Sequence, residues 1–269
     1  IKPILEGTGD IQAPVALEAA ESVWLVAGDL GLSRFEDKLS ASWPGGFQND
    51  PAALRITSAF HRIIRRAASD VQAEVALLDV GPNLGAINRA ALLAADFLVI
   101  PLAADLFSLQ GLRNLGPTVR VWRQQWDRVR GFVSTTDIEL PTGSMKPAGY
   151  VVLQHAVRLD RPMQAFGRWL RRIPSVYQEA VLGLKSPPSE VAADEDPHCL
   201  GTLRNYRSLM PMAQDARRPM FDLRAADGAI GSHARLVQTC ELEFRNLAQR
   251  IASACGLQRQ QSLIPETAN

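Results

Sequence analysis

The sequence has few cysteines and no long apolar run. Its three cysteines, Cys199, Cys240 and Cys255, are scattered and form no CxxC pair, so they suggest neither a zinc site nor a disulfide framework. Because this pattern favours a reducing compartment, we expect a cytoplasmic protein. No apolar run approaches the roughly 18 residues that a membrane-spanning helix needs, so we expect no membrane partner.

An excess of charge of either sign is also absent. The 269 residues include 29 basic and 28 acidic side chains, so any contact with nucleic acid must come from a local basic patch. With 46% hydrophobic residues, the chain is able to bury a full core. We expect a single domain over residues 1–257, followed by a polar tail over residues 258–269.

One stretch of the chain has the pattern of a βαβ unit. A short apolar run over residues 75–78 ends on Asp79, and a Gly-Pro turn follows. Residues 86–95 are helix-like, and a second apolar run covers residues 97–100. Two buried-type strands around one helix predict parallel strands with a right-handed crossover. An acid at the carboxyl end of such a strand lies where open α/β sheets bind their ligands.

The remaining segments continue this alternation of strands and helices. Strands are predicted over 23–27, 150–153 and 219–223, helices over 33–40, 51–69, 106–129, 161–182 and 229–255, and a loop over 1–21. Ser33 and Glu36 have the spacing of a capping box, and the Trp-Pro-Gly-Gly sequence after residue 42 should end their helix. Trp122 and Trp126 are typical of one packed stripe. The pattern predicts an α/β fold with a doubly wound, mostly parallel sheet and helices on both faces.

The stretch around Asp79 also carries a family resemblance. Its apolar run and the Asp-x-Gly-Pro-x-x-Gly that follows resemble the Walker B strand and switch loop of P-loop ATPases. Asn88-Arg89-Ala90, FLVIP at 97–101 and FSLQGL at 107–112 resemble the ParA/MinD family of partition and positioning ATPases. Segments 28–32, 35–36, 149–154 and 215–221 are similar to further parts of that family. The tail, with one Arg and one Pro, is unlike a basic membrane helix, which favours the ParA-like branch.

One motif of that family is missing from the sequence. No glycine-rich, lysine-bearing loop similar to GKGGVGKT occurs in residues 1–269. In such a loop the backbone N–H groups cradle the phosphates and the lysines neutralise them. Either the first strand, the loop and its helix lie upstream of this chain, or the chain comes from a lineage that has lost hydrolysis. The resemblance implies a P-loop NTPase-like fold without its N-terminal strand.

The resemblance assigns roles to individual residues. Asp79 would hold Mg²⁺ through a water molecule, and Gly81 and Gly85 would belong to the loop that senses the γ-phosphate of ATP. Gln154 occupies the place of an adenine-reading Asn, and Arg204 with Asn205 resembles a second loop on the adenine side. Simpler interpretations remain open: Asp79 as a helix cap, the Gly-Pro sequence as an ordinary turn, and Gln154 as a polar residue at the end of a strand.

The resemblance also implies a function. It points to an ATP-binding and ATP-hydrolysing dimerisation switch, dependent on Mg²⁺, for partition of DNA or positioning of a cargo. Such proteins act as homodimers, bind DNA without sequence preference and respond to a stimulating partner protein. The candidate DNA contacts are Arg168, Arg171, Arg172, Arg217 and Arg218, although each cluster is also typical of a solvated surface. The alternative function is a noncatalytic scaffold or interaction protein.

Overall fold

The computed structural model describes residues 1–133, 137–153, 162–185 and 191–257, with the backbone alone at 162–166. The chain forms two compact units. Unit 1 consists of residues 1–98 and 115–146, and unit 2 consists of residues 99–114 and those from 147 onward. The expectation of a single domain over residues 1–257 stays a prediction.

Helices predominate in the described residues. The helices are α1 (Lys2–Glu6), α2 (Ser33–Gly46), α3 (Pro51–Thr57), α4 (Ala59–Asp70), α5 (Ala86–Ala94), α6 (Leu106–Phe132), α7 (Pro162–Ala180), α8 (Leu209–Ala216) and α9 (Ser232–Ala254). The strands are β1 (Leu17–Ala20), β2 (Val23–Leu25), β3 (Phe97–Ala103), β4 (Lys146–Leu153) and β5 (Cys199–Leu203). Short 3-10 turns occur at Leu30–Leu32, Met220–Asp222 and Ala225–Asp227.

A parallel three-stranded sheet with the order β3-β4-β5 has helices beside it. In the pairing of β4 with β5, Tyr150 lies opposite Cys199 and Leu153 lies opposite Leu203. The middle of β4 is buried, as expected for an apolar strand with a neighbour on each side. The strand predicted over 150–153 is therefore present, and it begins earlier, at Lys146.

One core cluster of unit 1 is built on α6. Trp122, Trp126 and Val129 are buried in it together with Leu92 and Leu93 of α5. The indole N–H of Trp126 donates to the carbonyl oxygen of Pro141 at 2.9 Å, so the polar atom of this buried side chain is satisfied. The interpretation of the tryptophan pair as one packed stripe is confirmed.

Helix α2 is longer than the sequence predicts. It runs through the Trp-Pro-Gly-Gly segment to Gly46, although this segment should end it after residue 42. The ring of Trp43 stacks on that of Trp126, with centroids 5.9 Å apart and planes at 19°. At Gly45, a Cβ atom would lie 2.6 Å from the Cβ of Ala53, so only glycine allows α2 and α3 to approach this closely. Tertiary packing thus outweighs the helix-breaking tendency of the segment.

Two predicted strands of unit 1 are wrong or altered. The 75–78 run belongs to no strand, and Leu77 is 91% exposed. The run at 23–27 shortens to β2, which pairs antiparallel with β1 and is exposed rather than buried. In both cases no strand of the described residues covers the apolar side chains. A run of apolar residues forms a buried strand only where neighbouring strands cover it.

Two further predictions fail for local reasons. The helix predicted over 51–69 divides into α3 and α4 at Ser58, where the hydroxyl of Thr57 bonds back to the carbonyl oxygen of Ala53 at 2.9 Å. The strand predicted over 219–223 is the 3-10 turn Met220–Asp222, which packs against α9.

Candidate functional site

Asp79 directly follows the 75–78 run in unit 1. Its side chain is exposed, and within the described ranges it makes no hydrogen bond or ion pair. Helix α5 begins after Gly85, and the N–H groups of its first two residues donate to Glu36 instead of Asp79. The interpretation of Asp79 as a helix cap is therefore wrong, and its carboxylate is available to a ligand.

The side chains of Asn88 and Asn83 hold the loop between Asp79 and α5. The amide nitrogen of Asn88 donates to the carbonyl oxygens of Gly81 at 2.6 Å and of Asn83 at 2.7 Å. The side-chain oxygen of Asn83 accepts from the N–H of Gly85 at 3.0 Å. Asn88 is buried, so its own two bonds are partly shielded from water. The residues from 81 to 85 consequently form a closed turn fixed to the first turn of α5.

Glu36 of α2 binds the start of α5. Its carboxylate accepts from the N–H of Ala86, and its second oxygen accepts from the N–H of Ile87 at 2.8 Å. These N–H groups have no partner within the helix, and a negative charge is favourable at a helix N-terminus. A Cβ atom on residue 85 would lie 2.7 Å from Oε1 of Glu36, so Gly85 leaves room for the carboxylate.

The capping box predicted for Ser33 and Glu36 is therefore wrong. The residue before α2 is Leu32, and Glu36 caps a helix 50 residues further along the chain instead of its own. Sequence reasoning missed this role because nothing in the spacing of Glu36 points to α5. The sequence does carry a signal for Asn88, because Asn88 belongs to the Asn-Arg-Ala segment that resembles the ParA/MinD family and follows the Gly-Pro turn.

Arg89 packs between aromatic rings next to this turn. Its guanidinium carbon lies 4.1 Å from the ring centroid of Trp43 and 5.9 Å from that of Trp122. Burial lowers the pKa of Arg89, and the nearby charge of Glu36 partly offsets this effect. Arg89 therefore ties α5 to the tryptophan cluster.

The adenine-side residues expected from the sequence belong to unit 2. Arg204 forms an ion pair with Glu243 of α9 at 2.5 Å, and Glu243 also accepts from the hydroxyl of Tyr206. The side-chain oxygen of Asn205 accepts from the N–H of Arg207 at 2.7 Å. A cavity of about 170 Å³ lies between β5 and α9 beside Glu243. Arg204 and Asn205 thus have structural partners, and Gln154 lies outside the described residues.

The candidate DNA-contacting arginines are also in unit 2. Arg168, Arg171 and Arg172 are exposed on α7, and the guanidinium of Arg172 lies 5.4 Å from the ring centroid of Trp169. Arg217 is exposed at the end of α8 in a left-handed conformation, with φ of 50°. Arg218 is 3.8 Å from Asp222 in a partly exposed pair. The three α7 residues make the more accessible group.

The described residues contain no group of three or more His, Cys, Asp or Glu side chains arranged to hold a metal ion. Mg²⁺ does not require such a group, because it keeps several waters and is commonly bound by one or two carboxylates together with phosphates. In the parts of the chain that the structure covers, we find no helix with the length and apolarity to cross a membrane.

Comparison with known proteins identifies similar chains. The model of a family described as AAA domain matches residues 8–129. Protein IncC of Escherichia coli is 29% identical over 123 residues, which are 46% of this chain and 30% of IncC. Cell division protein PomZ of Myxococcus xanthus is 37% identical over 68 residues, which are 24% of this chain and 21% of PomZ. The matched part of the chain spans less than a third of the length of either relative.

Among solved structures, the chain resembles the crystal structure of protein DIP2308 from Corynebacterium diphtheriae. The TM-score is 0.59 at 19% sequence identity, and the match covers 94% of this chain and 73% of that protein. At this identity the likeness bears on the fold alone. Together with the parallel sheet and its helices, it confirms the predicted α/β class.

Proposed function

Because the chain belongs to the ParA/MinD-like family of P-loop ATPases, we propose that it works in partition of DNA or positioning of a cargo. In this proposal it is an ATP-binding and ATP-hydrolysing switch that dimerises with nucleotide. Its partners are a second copy of itself, a protein that stimulates hydrolysis, and DNA bound without sequence preference. The compartment is the cytoplasm.

The arrangement around Asp79 carries the proposal. An accessible carboxylate is followed by a turn that Asn88 closes and that leads directly into α5. A carboxylate with no protein partner is able to hold a water of Mg²⁺. Gly81 has no side chain, so its backbone N–H is accessible to a phosphate. The residues present therefore fit the metal side of a nucleotide site, where Mg²⁺ would neutralise phosphate charge.

The phosphate side of that site has no candidate loop in this sequence, which contains no glycine-rich loop with lysines. Two N–H groups at the start of α5, those of Ala86 and Ile87, are bound by Glu36. The apolar side chains of β2 and of the 75–78 run are exposed and would be buried by a further strand. We propose that the phosphate loop and its strand belong to a segment outside this sequence.

Two further groups of residues complete the proposal. In unit 2, we propose Arg204, Asn205 and Gln154 for the adenine side. Arg204 would contact the adenine only after its ion pair with Glu243 has broken. We propose Arg168, Arg171 and Arg172 of α7, with Arg217 and Arg218, for contacts to DNA phosphates. Such binding should weaken steeply as salt is raised, because it releases condensed counterions.

The test begins with the intact mass and the N-terminal sequence of the natural protein. Mg²⁺-dependent ATP hydrolysis is then compared for this protein, for Asp79→Ala and for Asp127→Ala. Asp127 is an exposed acid on α6 and is the matched control. We expect Asp79→Ala to lower turnover by about 10- to 100-fold, the usual effect of removing a group that orients a metal-bound water. Asp127→Ala should leave turnover unchanged.

Two results would overturn the proposal. A natural protein with no glycine-rich lysine loop and no turnover would select the noncatalytic scaffold. Equal turnover in Asp79→Ala and Asp127→Ala would remove Asp79 from the site.

A further inference from the structure

The carboxylate of Glu36 connects two helices that are far apart in sequence. It lies on α2 and accepts hydrogen bonds from the N–H groups of Ala86 and Ile87, the first two residues of α5. We propose that Glu36 is a positioning residue that couples the turn at residues 81–85 to α2, a role that rests on the proposed nucleotide site. Movement of the turn then either carries α2 with it or breaks the two bonds of Glu36.

The turn and α5 behave as one body because of Asn88. Its amide holds two carbonyl oxygens of the turn, those of Gly81 and Asn83, from the first part of α5. Gly85, the residue before α5, has no side chain with which to cap the helix. Glu36 therefore supplies the cap from a different helix, and its bonds to backbone N–H groups are charge-assisted and correspondingly strong.

Helix α2 is rigid enough to deliver this carboxylate to one place. The neighbouring side chains Phe35 and Leu39 are buried in a core cluster. The same cluster includes Ala86 and Ala90 of α5, so α2 and α5 pack against each other next to the hydrogen bonds of Glu36. Because the backbone of α2 is fixed by this packing, Glu36 reaches α5 with little freedom.

The bond also limits where a phosphate could be sensed. The N-terminus of α5 would otherwise be a favourable position for an anion, but two of its N–H groups, those of Ala86 and Ile87, are already bound by Glu36. The proposed site therefore relies on the Gly81 end of the turn for sensing. A signal that arises there reaches α2 through Asn88, the start of α5 and Glu36.

The first test is amide hydrogen exchange in the nucleotide-free protein. Glu36→Ala removes both acceptors, Glu36→Gln keeps one acceptor and the shape of the side chain, and Asp37→Ala changes the exposed neighbour on the same helix. We expect the amides of residues 86 and 87 to exchange at least about 10-fold faster in Glu36→Ala, an intermediate effect in Glu36→Gln, and no change in Asp37→Ala. Equal exchange in Glu36→Ala and Asp37→Ala would overturn the proposal.

The second test separates coupling from stability alone. In the natural protein, ATP with Mg²⁺ should change exchange in both the 81–85 turn and α2. In Glu36→Gln, which keeps one acceptor, the change in the turn should remain and the change in α2 should be reduced. A change in α2 that is undiminished in Glu36→Gln would contradict the coupling. If nucleotide changes neither region of the wild-type protein, the proposed nucleotide site fails, while the effect of Glu36 on residues 86 and 87 is still measured by the first test.

Discussion

Two apolar runs of similar composition have opposite environments. Val152 in the middle of β4 is fully buried, whereas Leu77 in the 75–78 run is 91% exposed. The run in β4 has a neighbouring strand on each side, and the 75–78 run has none among the described residues. An apolar run therefore predicts a strand only when the chain also supplies the strands that will cover it.

The largest test of this difference places a charge in each run. Val152→Asp would bury an unpaired carboxylate, which costs about 3–5 kcal/mol of unfolding free energy. Leu77→Asp would put the same group in water and should change stability by no more than about 0.5 kcal/mol. Both changes in stability can be measured by urea unfolding, followed with a separate signal from each unit, or by hydrogen exchange of β4 and of the 75–78 run.

An equal loss of stability in the two variants would break the comparison. It would mean that the 75–78 run is covered in solution.

A smaller effect concerns the polar contact that secures β4. The hydroxyl of Tyr150 donates to Asp196 at 2.7 Å, and Asp196 is only 4% exposed. Tyr150→Phe leaves this buried carboxylate with fewer partners and should cost about 1–3 kcal/mol. Burial and the bond to Asp196 both raise the pKa of Tyr150, so the phenol stays protonated and able to donate.

Tyr177 provides the matched control for this substitution. Its ring lies 5.0 Å from that of Tyr150, but its buried hydroxyl has no hydrogen-bond partner in the described part of the protein. Tyr177→Phe should be neutral or slightly stabilising in thermal unfolding, because it removes an unsatisfied polar atom. A larger loss in Tyr177→Phe than in Tyr150→Phe would show that Asp196 is not what secures β4.

The smallest effect is expected from a surface pair in unit 1. Arg62 donates two hydrogen bonds to Asp10, at 2.7 Å each, and this contact lowers the pKa of Asp10 below its ordinary value of 3.8. The stabilisation is therefore complete above that ordinary value and is lost as pH falls below it through the lowered pKa. Asp10→Asn should flatten the acid side of the stability curve slightly and leave stability near pH 7 little changed, since the pair is partly exposed. A variant with an unchanged acid limb would show that the pair adds nothing.

The sequence predicts those elements that are long, periodic and covered within the chain. Helices α5 and α6 and the central part of β4 lie close to their predicted positions, because their apolar residues face partners present in residues 1–269. The tryptophan stripe of α6 follows from spacing alone. The loop predicted from the Gly-Pro sequence after Asp79 likewise lies directly before α5.

Contacts between distant segments are what the sequence does not predict. Glu36 has the spacing of a local cap, yet packing of α2 against α5 directs it to another helix. The Trp-Pro-Gly-Gly segment resembles a helix stop, yet Trp43 is held by Trp126 and Gly45 by its approach to Ala53. In each case a tertiary contact, which no local pattern encodes, outweighs the local preference.

The stacked rings of Trp43 and Trp126 give the protein an optical property. Parallel indoles at this separation couple their electronic transitions, which produces a signal in near-ultraviolet circular dichroism. The guanidinium over Trp43 belongs to Arg89, the residue directly after the one that closes the Asp79 turn. A displacement of that turn therefore alters the surroundings of an indole, and tryptophan emission follows the event in real time without any attached dye.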